Sequence, residues 1–222
     1  STDEVGGSIP EGTFFREDSP LAPSSPYAAS KAAAEHLVRA AAHTFGLDAV
    51  ITRTSNNYGP CQFPEKLIPL AVCNALADHP VPVYGDGLQV RDWIHVADNG
   101  RALRLVLQHG RAGATYHIGG GNLIANRDLL GLLLKILGKP ESLLTRVADR
   151  PGHDRRYAVD WSLLRSELGW RPEIPLEDGL RATVAWYESN REWVEHARSG
   201  EYRRFYERLY GAGLNCGEAK AI

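Results

Sequence analysis

Apolar residues recur along this chain in two rhythms, one helical and one strand-like, and the switches between them predict its elements. Ala- and Leu-rich sequence over residues 26–45 predicts a helix, with Ser24 and Ser25 as caps, Pro26 in the first turn and Gly46 as the stop. Residues 49–55 form a short β-prone run, and Asn56-Asn57-Tyr58-Gly59-Pro60 is expected to turn out of it. Leu67, Ile68, Ala71, Val72, Ala75 and Leu76 share a helical period that predicts a helix over 64–78. Residues 81–84 and 88–96 flank Gly85-Asp86-Gly87, an Asp-Gly turn signal that predicts a hairpin. Further on, the pattern predicts a helix over 97–109, a strand over 115–118 and a helix over 127–137, capped by Asn126 and ended by Gly138. A strand over 143–147 and helices over 162–168 and 176–198 lead into a polar tail. Residues 1–23, rich in Gly, Ser, Pro and acids, are expected to be a strand end followed by an irregular surface loop.

Strands alternating with helices imply an α/β protein with a parallel sheet. The chain of 222 residues, 43% hydrophobic, is long enough for one ordinary core or two small ones. Its net charge of −2 supplies no overall field for nucleic acid or an acidic membrane surface, so any bound anion must be held by a local cluster. No apolar run approaches the roughly 20 residues that cross a bilayer. Cys61, Cys73 and Cys216 have neither metal-ligand nor disulfide-framework spacing and are read as free thiols in a reducing compartment, hence a cytoplasmic protein with no structural metal. The sequence holds no Met and starts at Ser1, which suggests one piece of a longer product.

Two groupings carry candidate chemistry. Tyr27 and Lys31, four apart at a helix start, share one face, and an ammonium beside a phenol favours the phenolate, a usable general base. Taken alone that spacing is a weak signal. The opening Ser1-Thr2-Asp3-Glu4-Val5 puts a hydroxyl and two carboxylates at a strand end, where open α/β sheets place their ligands. If one carboxyl is buried enough to keep a proton while the other ionises, the pair supplies an acid and a base at one pH.

Thr2-Asp3-Glu4 and Tyr27-x-x-x-Lys31 are followed in order by Ser55-Asn56-Asn57-Tyr58-Gly59-Pro60 and Phe63-Pro64-Glu65-Lys66-Leu67-Ile68-Pro69. Arg91-Asp92-Trp93 and Asp149-Arg150-Pro151-Gly152-His153-Asp154-Arg155-Arg156-Tyr157 complete the series. This ordered set resembles the dTDP-glucose 4,6-dehydratases of the extended short-chain dehydrogenase/reductase family, over residues 1 to about 193. The resemblance implies part of an NAD(P)-binding Rossmann-type parallel sheet over 1–60, carrying the catalytic residues. It also implies a smaller α/β substrate-binding lobe, mainly over 61–198 with some return to the sheet, and a tail over 199–222. It further implies internal oxidation, elimination and reduction of a dTDP-sugar: Tyr27, aided by Lys31 and Thr2, as the base at the 4-hydroxyl, Glu4 at C5, and Asp3 as the acid for the departing 6-hydroxyl. Asn57, Tyr27 and Lys31 would contact NAD. Asn56, Lys66, Leu67, Arg91, Asn126 and the run Asp149, Arg150, Pro151, Gly152, His153 would contact the substrate, with Pro82, Val83 and Tyr84 near the base. A homodimer is implied for the complete protein.

The chain departs from that pattern twice. No glycine-rich turn of the kind that wraps a dinucleotide pyrophosphate follows an early strand; Gly119-Gly120-Gly121 follows one but lacks the spacing and comes late. The expectation is an N-terminally truncated member that binds NAD poorly alone. Gly6 stands where the family usually has Tyr, which is expected to remove packing beside the carboxylates. Two alternatives stay open: an inactive nucleotide-sugar-binding remnant, and a related sugar-nucleotide epimerase or decarboxylase. Asp3 argues against the latter pair, because those enzymes expel no C6 water and usually lack the acid.

Overall fold

The computed structural model of the protein describes residues 1–198, so the tail expected over 199–222, with Cys216, lies outside the described residues. The chain forms two compact units, each built from three separate stretches. The first comprises Ser1–Tyr58, Gln89–Ile124 and Gly152–Leu176, and the second Gly59–Leu88, Ala125–Pro151 and Glu177 onward.

In the first unit, helix α1 (Pro26–Phe45) begins where the sequence pattern places it. The Ser25 hydroxyl accepts from the Ala28 N–H at 3.1 Å, and Gly46 closes the helix in the left-handed conformation at φ 67°. Strand β1 (Ile51–Thr54) pairs in parallel with β5 (Thr115–Ile118), and on its other side Thr2 forms a parallel bridge with Thr54. Strand β2 (Asn56–Tyr58) pairs in parallel with β4 (Val90–His95), and β6 (Leu123–Ala125) lies on the other side of β4. Helices α3 (Val96–His109) and α5 (Ser162–Leu168) cover these strands. Their core joins Ile94, Ala102, Val106, Tyr116, Ile118, Leu164 and Trp170. A smaller cluster of Val5, Phe15, Ala32 and Val159 fastens the start of the chain to α1.

In the second unit, β3 (Val81–Tyr84) pairs in parallel with β7 (Leu144–Val147), and α2 (Leu67–Leu76) packs on both β3 and α4 (Asn126–Leu137). Helices α6 (Leu176–Ser189) and α7 (Arg191–Ala197) complete it; the Tyr187 hydroxyl donates to the Gln62 carbonyl. Among the described residues no helix is long and apolar enough to cross a membrane. Cys61 and Cys73 are free thiols, the first exposed and the second buried.

The α/β class and the parallel pairing match expectation, and five local expectations need correction. The turn at Gly85-Asp86-Gly87 forms, with both glycines at positive φ and the Gly87 N–H donating to the Tyr84 carbonyl at 3.0 Å, but no hairpin does. Strand β3 pairs with β7 and strand β4 with β2, because long-range parallel ladders outcompete the local pairing. Residues Asn56–Tyr58 are a strand rather than a turn, since β4 lies beside them as a partner. Ala125, not Asn126, takes the cap position of α4, and Asn126 is its first helical residue. The helix expected over 176–198 breaks at Asn190, whose side-chain amide donates to the Trp186 carbonyl at 2.8 Å, leaving α6 and α7. The opening loop is also less superficial than expected, since Val5, Gly6, Gly7 and Phe15 are buried.

Candidate active site

Parallel pairing puts the carboxyl ends of neighbouring strands at one edge. In the first unit that edge collects Asp3, just after the Thr2 bridge, Ser55–Asn57 after β1, and Gly119–Asn122 after β5. The Ser55 N–H donates to the Ile118 carbonyl at 2.9 Å, which extends the β1–β5 ladder into this edge.

Thr2 caps a short 3-10 helix, Asp3–Gly6, accepting from the Glu4 N–H at 3.3 Å and donating to the Asp3 carboxylate at 3.2 Å. Asp3 is 4% exposed, and its second carboxylate oxygen is buried without a hydrogen-bond partner. Burial first, then the charges of Glu4 and Asp92, push its carboxyl up to about 7, against the opposing pull of the Thr2 hydroxyl and Arg91. Of the two neighbouring carboxyls, Asp3 is thus the one that keeps its proton near neutrality.

The 3-10 helix packs against α1, with Val5 and Ala32 in one cluster. Tyr27, in the first turn of α1, is 54% exposed, and Lys31 follows one turn later. A buried ion pair ties α1 to β1. Arg53 donates to Glu35 from Nε at 2.9 Å and from Nη2 at 2.8 Å, and lies 5.1 Å over the Phe15 ring, which stacks on His117. Burial opposes the Glu35 charge, yet the Arg53 hydrogen bonds hold its carboxyl below the ordinary range. Burial, with Arg53 adding to it, brings His117 down to about 4.

Phe15 also answers the departure at position 6. Its ring lies so close to Gly6 that a Cβ there would come within 2.7 Å of it. The expected loss of packing beside the carboxylates is therefore corrected: an aromatic ring from elsewhere in the chain fills the space, and Gly6 is buried in a 3-10 turn.

The Gly119–Gly121 stretch, set aside as a cofactor loop on its spacing, has a partner inside the chain. Its neighbour Asn122 donates its N–H to the Asp92 carboxylate at 2.8 Å, and the Gly120 and Gly121 N–H groups favour the charge of that same carboxylate. A Cβ on Gly120 would stand 1.9 Å from the Trp93 carbonyl oxygen, so only glycine fits. Burial pushes Asp92 up to about 6 even so. Arg91 is buried, donating to the carbonyls of Val90 at 2.8 Å and Asp154 at 2.9 Å, with its guanidinium 4.2 Å from the Tyr157 ring centroid. Tyr157 donates to the Asp154 carboxylate at 2.5 Å; burial, then that hydrogen bond and the Glu4 charge, raise its hydroxyl above the usual phenol range. Asn57 donates to the Ser55 carbonyl at 3.0 Å, and the Asn56 amide oxygen is buried without a partner. Gly152 and His153 also belong to this unit, Gly152 at φ 67°.

The remaining candidates lie in the second unit. At the carboxyl end of β3 and β7, the Arg150 guanidinium sits 5.0 Å over the Tyr84 ring, and Asp149 lies so close to Gly85 that a Cβ there would meet its carboxylate at 2.7 Å. Pro82 and Val83 are buried in β3, and Pro151 is exposed beyond Arg150. The Arg127 N–H donates to the Gly87 carbonyl at 2.8 Å, which brings the start of α4 to the same turn, where the Asn126 amide oxygen is buried without a partner. Lys66 and Leu67 open α2, with Lys66 paired to Glu65 at 3.0 Å. Residue by residue reading assigned no role to Asp92, Asp154, Tyr157, Glu35 and Arg53, because their roles depend on partners up to 130 residues away.

Parallel strands, a carboxylate pair at their carboxyl edge and a Tyr-Lys helix packed against it define a Rossmann-type nucleotide-binding class. The family profile described as GDP-mannose 4,6 dehydratase matches residues 1–183, and the chain belongs to that family. Within it, the chain is 52% identical over 212 residues to a dTDP-glucose 4,6-dehydratase of Xanthomonas campestris pv. campestris, covering 91% of this chain and 60% of that protein. It is 49% identical over 226 aligned residues to the dTDP-glucose 4,6-dehydratase of Salmonella typhimurium, covering 95% and 63%. The fold matches the dTDP-glucose 4,6-dehydratase of Streptomyces venezuelae, solved with NAD bound, at a TM-score of 0.87 and 54% identity, over 88% of this chain and 61% of that one. A UDP-glucose 4-epimerase of Thermus thermophilus, also solved with NAD, matches at 0.80 and 33% identity over 86% and 63%. The chain thus spans about three fifths of the length of the curated relatives it matches.

Proposed function

We propose that the protein carrying this chain is an NAD-dependent dTDP-glucose 4,6-dehydratase, a lyase that converts dTDP-glucose to its 4-keto-6-deoxy product. The observation that carries this reading is Asp3: a carboxyl 4% exposed, brought to about 7, and adjacent in sequence to a second carboxyl. An epimerase has no water to expel from C6 and no use for that acid.

The cofactor fits the residues present. Tyr27 and Lys31 offer a phenolic hydroxyl and an ammonium on one face of α1, and Asn57 stands at the carboxyl edge that also collects Asp3. Tyr27, Lys31 and Asn57 would hold NAD, which when bound supplies the hydride acceptor for C4 and the hydride donor for C6. Tyr27 takes the 4-hydroxyl proton, with Lys31 favouring the phenolate and Thr2 orienting the hydroxyl. The resulting ketone acidifies C5, whose proton goes to Glu4, while Asp3 gives its proton to the 6-hydroxyl so that it leaves as water. The family resemblance gives Asn56, Lys66, Leu67, Arg91, Asn126, Asp149, Arg150, Pro151, Gly152 and His153 to the sugar nucleotide, with Pro82, Val83 and Tyr84 near its base.

The same reading makes the protein a cytoplasmic homodimer that binds neither nucleic acid nor membrane. The free cysteines, the net charge of −2 and the exposed Leu37 and Phe45 on α1 support it. Light scattering should give twice the mass of the full-length polypeptide. Incubating that protein with dTDP-glucose and NAD and weighing the sugar nucleotide by mass spectrometry tests the activity: loss of one water is expected, and an unchanged mass refutes it.

A further inference from the structure

The segment just ahead of α1 has little of its own to fix it. Pro23 and Pro26 bring no N–H, and the last backbone tie before the helix is the Ala22 N–H donating to the Val5 carbonyl at 3.0 Å. What holds Ser24 is a side chain from far along the sequence. The Asp154 carboxylate oxygen Oδ2 accepts from the Ser24 hydroxyl and, at 2.5 Å, from the Tyr157 hydroxyl. The Asp154 carbonyl accepts from Arg91 Nη2 at 2.9 Å, and the Arg91 guanidinium faces the Tyr157 ring at 4.2 Å. Asp154 is itself 9% exposed, and its loop is bound to the start of β4 by Val90 N–H to Arg155 carbonyl at 2.9 Å and Tyr157 N–H to Val90 carbonyl at 3.2 Å. One firmly held carboxylate therefore connects the residue ahead of the α1 cap to the Arg91–Tyr157 pair.

We propose that Asp154 is a positioning residue, fastening Ser24 to the Arg91–Tyr157 pair and so fixing the first turn of α1, which carries Tyr27, for its work at the sugar. Asp154 reaches Arg91 through its main chain, so changing its side chain, or Ser24, loosens the helix start without removing the contact to Arg91. The role rests on the dehydratase reading, and its test separates the two.

Ser24 is exposed, so Ser24→Ala leaves the fold standing, and Ser24→Thr keeps the hydroxyl. In the full-length protein without nucleotide or cofactor, hydrogen exchange of the Ala28, Ala29 and Ser30 amides should quicken at least tenfold in Ser24→Ala and Asp154→Ala. On mixing with dTDP-glucose and NAD, the reduced-nicotinamide band should rise at least tenfold more slowly in both, while dTDP affinity stays within twofold. Ser24→Thr should restore both rates. Wild-type exchange and oxidation in Ser24→Ala would overturn the role, as would an affinity falling in step with the oxidation rate or a failure of Ser24→Thr to restore. A wild-type protein that forms no reduced nicotinamide refutes the dehydratase reading instead, and the exchange measurement still decides the anchor.

Discussion

Asp3 should make the folded protein less stable as the pH rises, and replacing it with Asn should remove that dependence. Its carboxyl stands at about 7 in the folded chain against 3.8 for the free group. The folded state therefore keeps a proton that the unfolded chain has released, so this stabilisation is complete below about pH 4 and is lost as the pH climbs through about 7. From pH 5 to pH 8 the loss covers about two pH units at about 1.4 kcal/mol each, roughly 3 kcal/mol in all. Asn cannot ionise. Its amide N–H groups would need partners that the orphaned Asp3 oxygen lacks, a cost of about 1 to 3 kcal/mol that is the same at every pH. Asp92, pushed up to about 6, adds a dependence of the same sign, and because its charge acts on Asp3 the difference between the two proteins reports Asp3 together with that coupling. Urea unfolding of wild type and Asp3→Asn at pH 5 and pH 8 is the assay. The stability difference should shift in favour of Asn by about 2 to 3 kcal/mol between the two conditions. A difference that stays constant with pH would show that Asp3 is ionised in the folded protein and would remove the acid from the mechanism.

The other predictions concern single contacts. In the full-length protein, Asp3→Asn should still give reduced nicotinamide while elimination slows by about 10²- to 10⁴-fold, whereas Tyr27→Phe should prevent reduction altogether; rapid-mixing absorbance distinguishes them. Arg91→Lys forfeits the two-pronged donation to the Val90 and Asp154 carbonyls and the flat face against Tyr157, and calorimetry should find dTDP binding weaker by about 1 to 3 kcal/mol. Glu35→Ala strands the Arg53 guanidinium, 1% exposed, and denaturant unfolding should register a loss of about 3 to 5 kcal/mol.

How far the sequence was legible follows from the range of the forces involved. Helix α1 could be read because Ser25, Pro26 and Gly46 act on their own neighbours, and the stop of α4 at Gly138 for the same reason. The hairpin expected at Gly85–Gly87 misled because a turn signal is local while strand pairing is not: β3 found its partner some sixty residues on. Asn190 broke a helix whose apolar period runs through it, through a side-chain bond that periodicity does not register. In the site, Asp3, Glu4, Tyr27 and Lys31 stood out because their chemistry and spacing are themselves the signal. The Asp92 nest and the Asp154 anchor did not, since a carboxylate's partners at 30 or 130 residues' distance leave no trace in its neighbourhood.

The ring of Phe15 lying over Gly6 ties the histories of these two positions together. A side chain cannot appear at position 6 while the ring stays, because its first carbon would already overlap it. Nor is the ring easily given up, since it stacks on His117 and lies under Arg53 beside the Glu35 pair. Of the two orders in which a pair of substitutions could carry an aromatic group from position 15 to position 6, one passes through a steric clash and the other through a hole in the core. Single-step change is closed in both directions, so the two residues should be inherited as a unit.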